Sequence, residues 1–156
     1  MMRGSVMAKL IIYFSLSNNT KKAAQKVQEI TGADIYRLEA KNPYPEGYSK
    51  YSKVGMKEFE DDIHPEIKEE IPDLKKYDTI YLGYPTWSGK IPMIFHTLFE
   101  QYDFSNKKIV PFTTTGGSSA SESLPSVKKV AKQAVVTDNF RYQFNDEKLK
   151  TFLNDK

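Results

Sequence analysis

The segment Leu10-Ile11-Ile12-Tyr13-Phe14 indicates the fold most clearly, and Ser15-Leu16-Ser17-Asn18-Asn19-Thr20 follows it at once. The first five residues are apolar and rich in β-formers, without the alternation of a strand that has one solvated face. Residues 79–84 and 109–112 repeat this pattern. Continuous apolar strands are typical of parallel sheets that helices cover on both faces. We therefore predict three central strands that are buried on both sides.

Outer strands and helices complete this prediction. Residues 35–38 and 140–144 alternate apolar and polar side chains, as strands with one solvated face do. Apolar residues at helical spacing lie between the strands, and Asn145 is the predicted N-cap of the last helix. The alternation indicates an α/β three-layer sandwich with a five-stranded parallel sheet in the order 2-1-3-4-5. We expect a local break at Pro111, because proline donates no hydrogen bond.

Length and composition limit the possible functions. The chain has 156 residues, and we expect residues 8–156 to form a single domain, with residues 1–7 as a leader or tag remnant. The chain has no cysteine, which excludes disulfides and thiolate metal sites. The net charge of +3 is too small to indicate a nucleic-acid partner, and the longest apolar run is too short to span a membrane. Since the first residues lack a secretory apolar region, we expect a cytoplasmic protein.

The connection between the second and third strands, residues 39–78, differs in charge from the rest of the chain. It holds 11 acidic and 7 basic residues, a net charge of −4, so the remainder carries +7. We predict a helix at residues 52–62 and a polar surface segment at residues 63–78.

The first candidate site is the polar loop after the first strand. In open parallel sheets, ligands bind beyond the carboxyl ends of the strands. The hydroxyl and amide side chains of this loop, with the free N–H groups of a helix N-terminus, would form a neutral cradle for a phosphate dianion. The alternative is a hydroxyl-rich helix cap without a ligand. The candidate residues are Ser15, Ser17, Asn18, Asn19 and Thr20.

Two further loops follow the other central strands. Residues 84–92 hold the single tryptophan between two prolines, so we expect it to lie outside the main core and to stack on a planar ligand. Residues 113–119 contain two glycines, which let backbone approach a ligand closely. Together the three loops indicate a ligand with a phosphate at one end and a flat ring at the other. The candidate residues are Pro85, Thr86, Trp87, Ser88, Gly89 and Lys90 in the second loop, and Thr114, Thr115, Gly116, Gly117 and Ser118 in the third.

These motifs resemble those of the flavodoxin family, in particular its short members with a tryptophan in the second loop. The first loop matches the family pattern hydroxyl-x-hydroxyl-Gly-Asn-Thr except at Asn18, where the family has glycine. The second matches Tyr-Pro-x-Trp-x-Gly-x-x-Pro from Tyr84, and the third matches Pro-Phe-x-Thr-x-Gly-Gly-Ser from Pro111. The resemblance extends from Ala8 to Leu153.

The resemblance implies a flavodoxin-like fold that binds FMN noncovalently, with the phosphate in the first loop and the isoalloxazine stacked on Trp87. In flavodoxins a glycine-containing peptide near flavin N5 can rotate on reduction, and the matching peptide here joins Ser88 and Gly89. The implied function is electron transfer with a redox partner protein or a small electron acceptor. The alternative is an enzyme, an FMN-dependent NAD(P)H quinone reductase, although the sequence has no separate nicotinamide-binding motif. We expect a monomer or homodimer that binds neither nucleic acid nor a membrane.

Two departures from the family pattern bear on these expectations. Asparagine tolerates left-handed backbone best after glycine, so Asn18 can preserve the first loop. A relative of the same topology that has lost FMN through this change is a further alternative. The third loop lacks the second aromatic ring that many flavodoxins place over the flavin, so Tyr44 or Tyr48 supplies it or that face is open.

A phosphoacceptor receiver domain is excluded, because the ends of the first and third strands carry no acidic residues.

Overall fold

The computed structural model describes residues 8–156, so the predicted leader at residues 1–7 lies outside the described residues. The strands within this range are β1 (Ala8–Tyr13), β2 (Asp34–Arg37), β3 (Tyr77–Pro85), β4 (Lys108–Thr114), β5 (Val135–Val136) and β6 (Phe140–Arg141). The helices are α1 (Asn19–Thr31), α2 (Tyr48–Asp61), α3 (Ile94–Gln101), α4 (Ala120–Val130) and α5 (Asp146–Asn154), with a short 3₁₀ helix (Leu74–Lys76) before β3.

The strands form one parallel sheet in the order β2-β1-β3-β4-β5, which confirms the predicted order. The fifth position holds two short strands rather than one, because β6 also pairs with β4. Of the predicted strand at residues 140–144, only Phe140 and Arg141 pair with the sheet.

The break expected at Pro111 falls in the neighbouring strand and not in β4 itself. β4 pairs with β3 through Pro111 without a shift of register. On the other side, β5 ends opposite Ile109 and β6 begins opposite Phe112. The carbonyl oxygens of Ile109 and Thr113 accept hydrogen bonds on that side, so position 111, between them, faces the same way. The missing N–H of Pro111 therefore lies at the gap between β5 and β6, where it removes no ladder hydrogen bond.

Apolar residues cover both faces of the central strands, as predicted. Along β1, Leu10 and Ile12 pack in one apolar cluster while Ile11 and Tyr13 pack in the other. The first cluster includes residues of α3 and α4, and the second includes residues of α1 and α5. This arrangement gives the three layers, and it leaves the carboxyl ends of β1, β3 and β4 side by side at one edge of the sheet.

The long connection is more closely attached to the fold than its composition predicts. α2 begins at Tyr48, four residues before its predicted start. Ile71 and Leu74, in the segment predicted to be a polar surface excursion, are buried in the core. That prediction is wrong for these residues, because isolated apolar side chains anchor a segment that charged residues otherwise dominate. Across residues 8–156, no helix has the length and apolar character needed to traverse a lipid bilayer.

A close contact between β3 and β4 predicts the effect of one substitution. Gly83 in β3 lies against the ring of Phe112 in β4, and a Cβ at position 83 would lie 2.6 Å from Phe112 Cε2. Both residues are buried, so neither can move aside cheaply. Gly83→Ala should lower the free energy of unfolding by about 1–3 kcal/mol, measured by urea denaturation.

The matched test of this prediction is the double variant Gly83→Ala with Phe112→Leu. The smaller side chain makes room for the methyl group, so the double variant should lose less stability than the sum of the two single variants. Strict additivity would contradict the proposed contact.

Candidate functional site

A cavity of about 700 Å³ lies where the carboxyl ends of β1, β3 and β4 meet. All three predicted loops contribute to its wall, so the structure brings them together at one place. None of the lining residues, all of which belong to the described part of the chain, carries a charge. The predicted site residues that line it are Ser17, Asn19, Pro85, Thr86, Trp87, Ser88, Thr114, Thr115 and Gly116.

The first loop is shaped by left-handed backbone at Asn18, with φ of 71°, as predicted for the asparagine in place of glycine. Asn18 is followed directly by α1, whose first N–H groups point out of the helix toward the loop. The hydroxyl of Ser15 accepts a hydrogen bond from the N–H of Lys21 at 3.3 Å, which fixes the loop to the helix. Arg37, at the end of β2, donates to the carbonyl of Ser15 at 2.8 Å. A guanidinium therefore lies beside the predicted phosphate cradle, where sequence reasoning placed only a strand residue.

Buried threonine hydroxyls hold the three loops in one arrangement. Thr20 on α1 and Thr114 on the third loop share a hydrogen bond of 2.7 Å between their hydroxyl oxygens. Thr86 on the second loop bonds to the Thr113 hydroxyl at 2.6 Å, and its N–H donates to the carbonyl of Thr114 at 2.9 Å. Thr20 was predicted as a ligand contact, and here its hydroxyl joins the first loop to the third.

The second loop is a two-residue β-hairpin turn. The backbones of Trp87 and Lys90 exchange two hydrogen bonds, each of 3.0 Å. Ser88 and Gly89 have φ of 52° and 73°, and positive φ at both central positions defines a type I′ turn. The Ser88 hydroxyl also contacts the sulfur of Met56 at 3.0 Å, so the turn is attached to α2.

Trp87 packs more closely against the protein than the sequence predicts. Its ring lies edge-on to those of Phe14 and Tyr44, with centroids 5.7 and 5.8 Å away, and so contacts the main core. α2 approaches it through Gly55, where a Cβ would lie 3.0 Å from the indole Cε3. The expectation that Trp87 lies outside the core is therefore wrong for one side of the ring, while the residue also lines the cavity.

Behind Trp87, a buried carboxyl group supports the aromatic wall. The Tyr44 hydroxyl donates to both oxygens of Glu58, at 2.7 and 2.9 Å. Burial raises the pKa of Glu58, and the hydrogen bond from Tyr44 opposes that shift only in part. Burial likewise raises the pKa of the Tyr44 hydroxyl, with the Glu58 hydrogen bond acting in the same direction. Tyr44 does not line the cavity, whereas Tyr48 does.

Seven predicted site residues lie outside the cavity lining. Gly89 and Lys90 line a neighbouring cavity of about 390 Å³, with the Lys90 ammonium 5.8 Å from the ring centroid of Phe59. In the third loop the N–H groups of Gly117 and Ser118 donate to the hydroxyl of Thr115. The remaining residues outside the lining are Ser15, Asn18 and Thr20, whose contacts shape the first loop.

Sequence reasoning missed two parts of the wall. One is the face of α2 that lines the cavity with Tyr51, Ser52, Gly55, Met56 and Phe59, beside Tyr48, which the sequence had already offered as a ring over the flavin. Their helical spacing was visible in the sequence, but nothing there indicated that this face meets the second loop. The other missed residues are Tyr142 and Phe144, in a segment predicted only as an outer strand.

The raised pKa of Glu58 predicts how stability depends on pH. The folded protein favours the protonated carboxyl, so its stability falls as pH rises from the ordinary glutamate range near ~4.3 through the raised pKa. Glu58→Gln removes this titration. The free energy of unfolding of the variant should therefore increase relative to wild type as pH rises, measured by urea denaturation at several pH values.

Glu60→Gln is the matched control, because Glu60 lies on the same helix but is exposed. Its stability relative to wild type should not change with pH over the same range. A constant difference between Glu58→Gln and wild type would show that the buried carboxyl does not titrate as described.

Comparison with known proteins identifies the family. The flavodoxin profile matches residues 8–155. A protein of Bacteroides eggerthii DSM 20697 classed as a flavoprotein shares 29% identity, covering 96% of this chain and 97% of its own, with a TM-score of 0.84. A protein of Bacteroides uniformis ATCC 8492, also classed as a flavoprotein, shares 26% identity, with coverages of 95% and 98% and a TM-score of 0.84.

A flavoprotein of Lactobacillus acidophilus NCFM, solved in complex with FMN, has the same fold. It shares 24% identity, covering 95% of this chain and 99% of its own, with a TM-score of 0.80. No curated protein matches the chain. Because the family profile extends over residues 8–155 and the sheet order and loop positions agree with it, the chain belongs to the flavodoxin family.

Proposed function

We propose that this protein binds FMN noncovalently in the 700 Å³ cavity and transfers electrons through it. The observation that carries the proposal is the meeting of three loops around one uncharged cavity, which has hydroxyl groups and a helix N-terminus at one end and Trp87 at another side. A volume of this size is typical of cofactor sites. The FMN-bound flavoprotein of Lactobacillus acidophilus supports the choice of cofactor.

The first loop would hold the phosphate. Ser17 and Asn19 line the cavity there, and the N–H groups of the first turn of α1 provide the donors that a dianion needs. Arg37 adds a positive charge beside the loop through its bonds to Ser15 and Asn18. These residues fit a phosphate because the donors are fixed before the ligand arrives.

The second and third loops would hold the ring. Trp87 offers an aromatic surface, and Thr86 and Ser88 offer polar groups beside it. Position 116 is glycine, and no heavy atom lies within 4 Å of the place that a Cβ would occupy there. The backbone at this position is therefore accessible to the edge of a ligand. Bound FMN would supply one- and two-electron redox chemistry, and the surrounding protein would set its potential.

The proposed role is that of an electron carrier for a redox partner protein or small electron acceptor. The alternative is an FMN-dependent NAD(P)H quinone reductase, and the exposed mouth of the cavity is consistent with this enzyme. Tyr48 is 70% exposed and Met56 is 46% exposed, so a small acceptor could reach the site. A cytoplasmic setting and a monomer or homodimer form part of the proposal.

Titration of the purified protein with FMN tests the cofactor. We expect quenching of flavin fluorescence with one FMN per chain. Riboflavin, which lacks the phosphate, should bind at least about tenfold more weakly, because hydrogen bonds to a charged group contribute ~1.5–3 kcal/mol. Equal binding of the two flavins would contradict the phosphate cradle, and no quenching would contradict FMN binding.

Stopped-flow mixing of the FMN-loaded protein with NADPH then separates the two roles. Slow or absent reduction supports the carrier, whereas fast direct reduction supports the reductase.

The type I′ turn of the second loop predicts a change in redox potential. Rotation of the peptide between Ser88 and Gly89 would give a type II′ turn, in which position 89 has negative φ. Gly89→Ala makes the observed turn less favourable, because alanine at φ of 73° costs ~1–2 kcal/mol of backbone strain and its Cβ would also displace the exposed Glu122 carboxylate. If the turn rotates on reduction, the potential of the first electron step should rise by ~40–80 mV in a redox titration.

Gly32→Ala is the control for backbone strain. Gly32 lies at the end of α1 and has a φ of 71°. No heavy atom lies within 4 Å of the place that a Cβ would occupy there. This variant should lose stability but keep the potential of the wild type. An unchanged potential in Gly89→Ala would rule out the rotation.

A further inference from the structure

Phe144 combines two unfavourable features. It is 58% exposed, and its φ of 60° lies in the left-handed region that bulky side chains avoid. Burial in the apolar core therefore does not explain the position of its ring. Strained residues of this kind cluster at active sites and ligand sites, where the surrounding structure holds them in place.

Neighbouring residues fix the segment that carries Phe144. The adjacent Tyr142 is buried, its ring centroid lies 5.0 Å from that of Phe144, and its hydroxyl donates to Asp146 at 2.8 Å. Arg141, one residue earlier, donates to the carbonyl of Thr115 in the third loop at 3.3 Å. Phe144 is therefore held in place at the cavity and is not the tip of an unattached loop.

The aromatic side chains that line the cavity come from three elements. Trp87 belongs to the second loop, Tyr48, Tyr51 and Phe59 belong to α2, and Tyr142 and Phe144 belong to the segment after β6. α2 packs on Trp87 through Gly55 and through the stacked ring of Tyr51, whose centroid lies 6.0 Å away. The segment after β6 lies beside β4 and the third loop instead. A flat ligand in the cavity would therefore meet Trp87 and Phe144 from separate elements.

We infer that Phe144 is the second aromatic contact of the bound flavin, supplied by the segment after β6 in place of an aromatic residue in the third loop. This inference rests on the proposed binding of FMN. Tyr48 is the other exposed ring at the cavity, but it lies on α2, the element that already packs against Trp87. Its backbone is helical, so it lacks the left-handed backbone that marks Phe144.

The substitution Phe144→Asn tests the inference, because asparagine tolerates left-handed backbone and removes the ring. The dissociation constant for FMN should rise about three- to tenfold, the range expected for loss of one aromatic contact. The melting temperature of the FMN-free protein should stay the same or rise, because the strained and exposed phenylalanine is gone. Loss of affinity together with unchanged or higher stability is the expected pair of results.

Two further variants make the test specific. Val135→Asn changes another exposed apolar residue, 61% exposed and outside the cavity lining, and should leave FMN affinity unchanged. Tyr48→Ser should weaken FMN binding less than Phe144→Asn does.

Three results would overturn the inference. The first is an FMN affinity of Phe144→Asn equal to that of wild type. The second is a larger loss of FMN affinity in Tyr48→Ser than in Phe144→Asn. The third is a fall in the melting temperature of FMN-free Phe144→Asn, which would indicate a purely structural role for the ring. Failure of the wild-type protein to bind FMN is a separate result, seen before any substitution, and would overturn the proposed function itself.

Discussion

The parallel pairing of β1, β3 and β4 determines where the other elements and the loops lie. These strands are covered by apolar side chains on both faces, so their backbone groups can find hydrogen-bond partners only in neighbouring strands. Parallel alignment then puts all three carboxyl ends at one edge. The polar loops that follow these strands therefore lie together at that edge, and buried hydroxyl pairs such as Thr20 with Thr114 fix their spacing.

The long connection between β2 and β3 contributes to the candidate site through α2, which forms one wall of the cavity. A glycine at position 55 lets the helix backbone come close to Trp87, and the Ser88 hydroxyl reaches Met56, the next residue of the helix. Behind the indole, Glu58 and Tyr44 form a buried polar pair that ties the helix to the start of the connection. The other acidic residues of this helix, Glu60 and Asp61, are exposed, while its uncharged face lines the cavity.

The absence of charge from the cavity lining within residues 8–156 has an electrostatic consequence. A negative charge that develops on a bound ring would meet only dipoles there, such as hydroxyl groups and peptide N–H groups. Under the proposed FMN binding, backbone orientation in the second loop would then be a main means of adjusting the potential, because a peptide dipole changes direction when a turn changes type. Arg37 acts at the other end, beside the first loop.

Local patterns were enough to predict the sheet order and the three loops, because both follow from apolar runs and the polar residues after them. The left-handed backbone at Asn18 was expected because asparagine stands where the resembling family has glycine. The Asn145 cap was also predicted, and its side chain accepts from the N–H of Lys148. Three features depend on tertiary packing: α2 packs on Trp87, β5 and β6 share one sheet position, and Phe144 reaches the cavity. These features join segments far apart in the chain, and their contacts depend on how the layers pack, which no local pattern records.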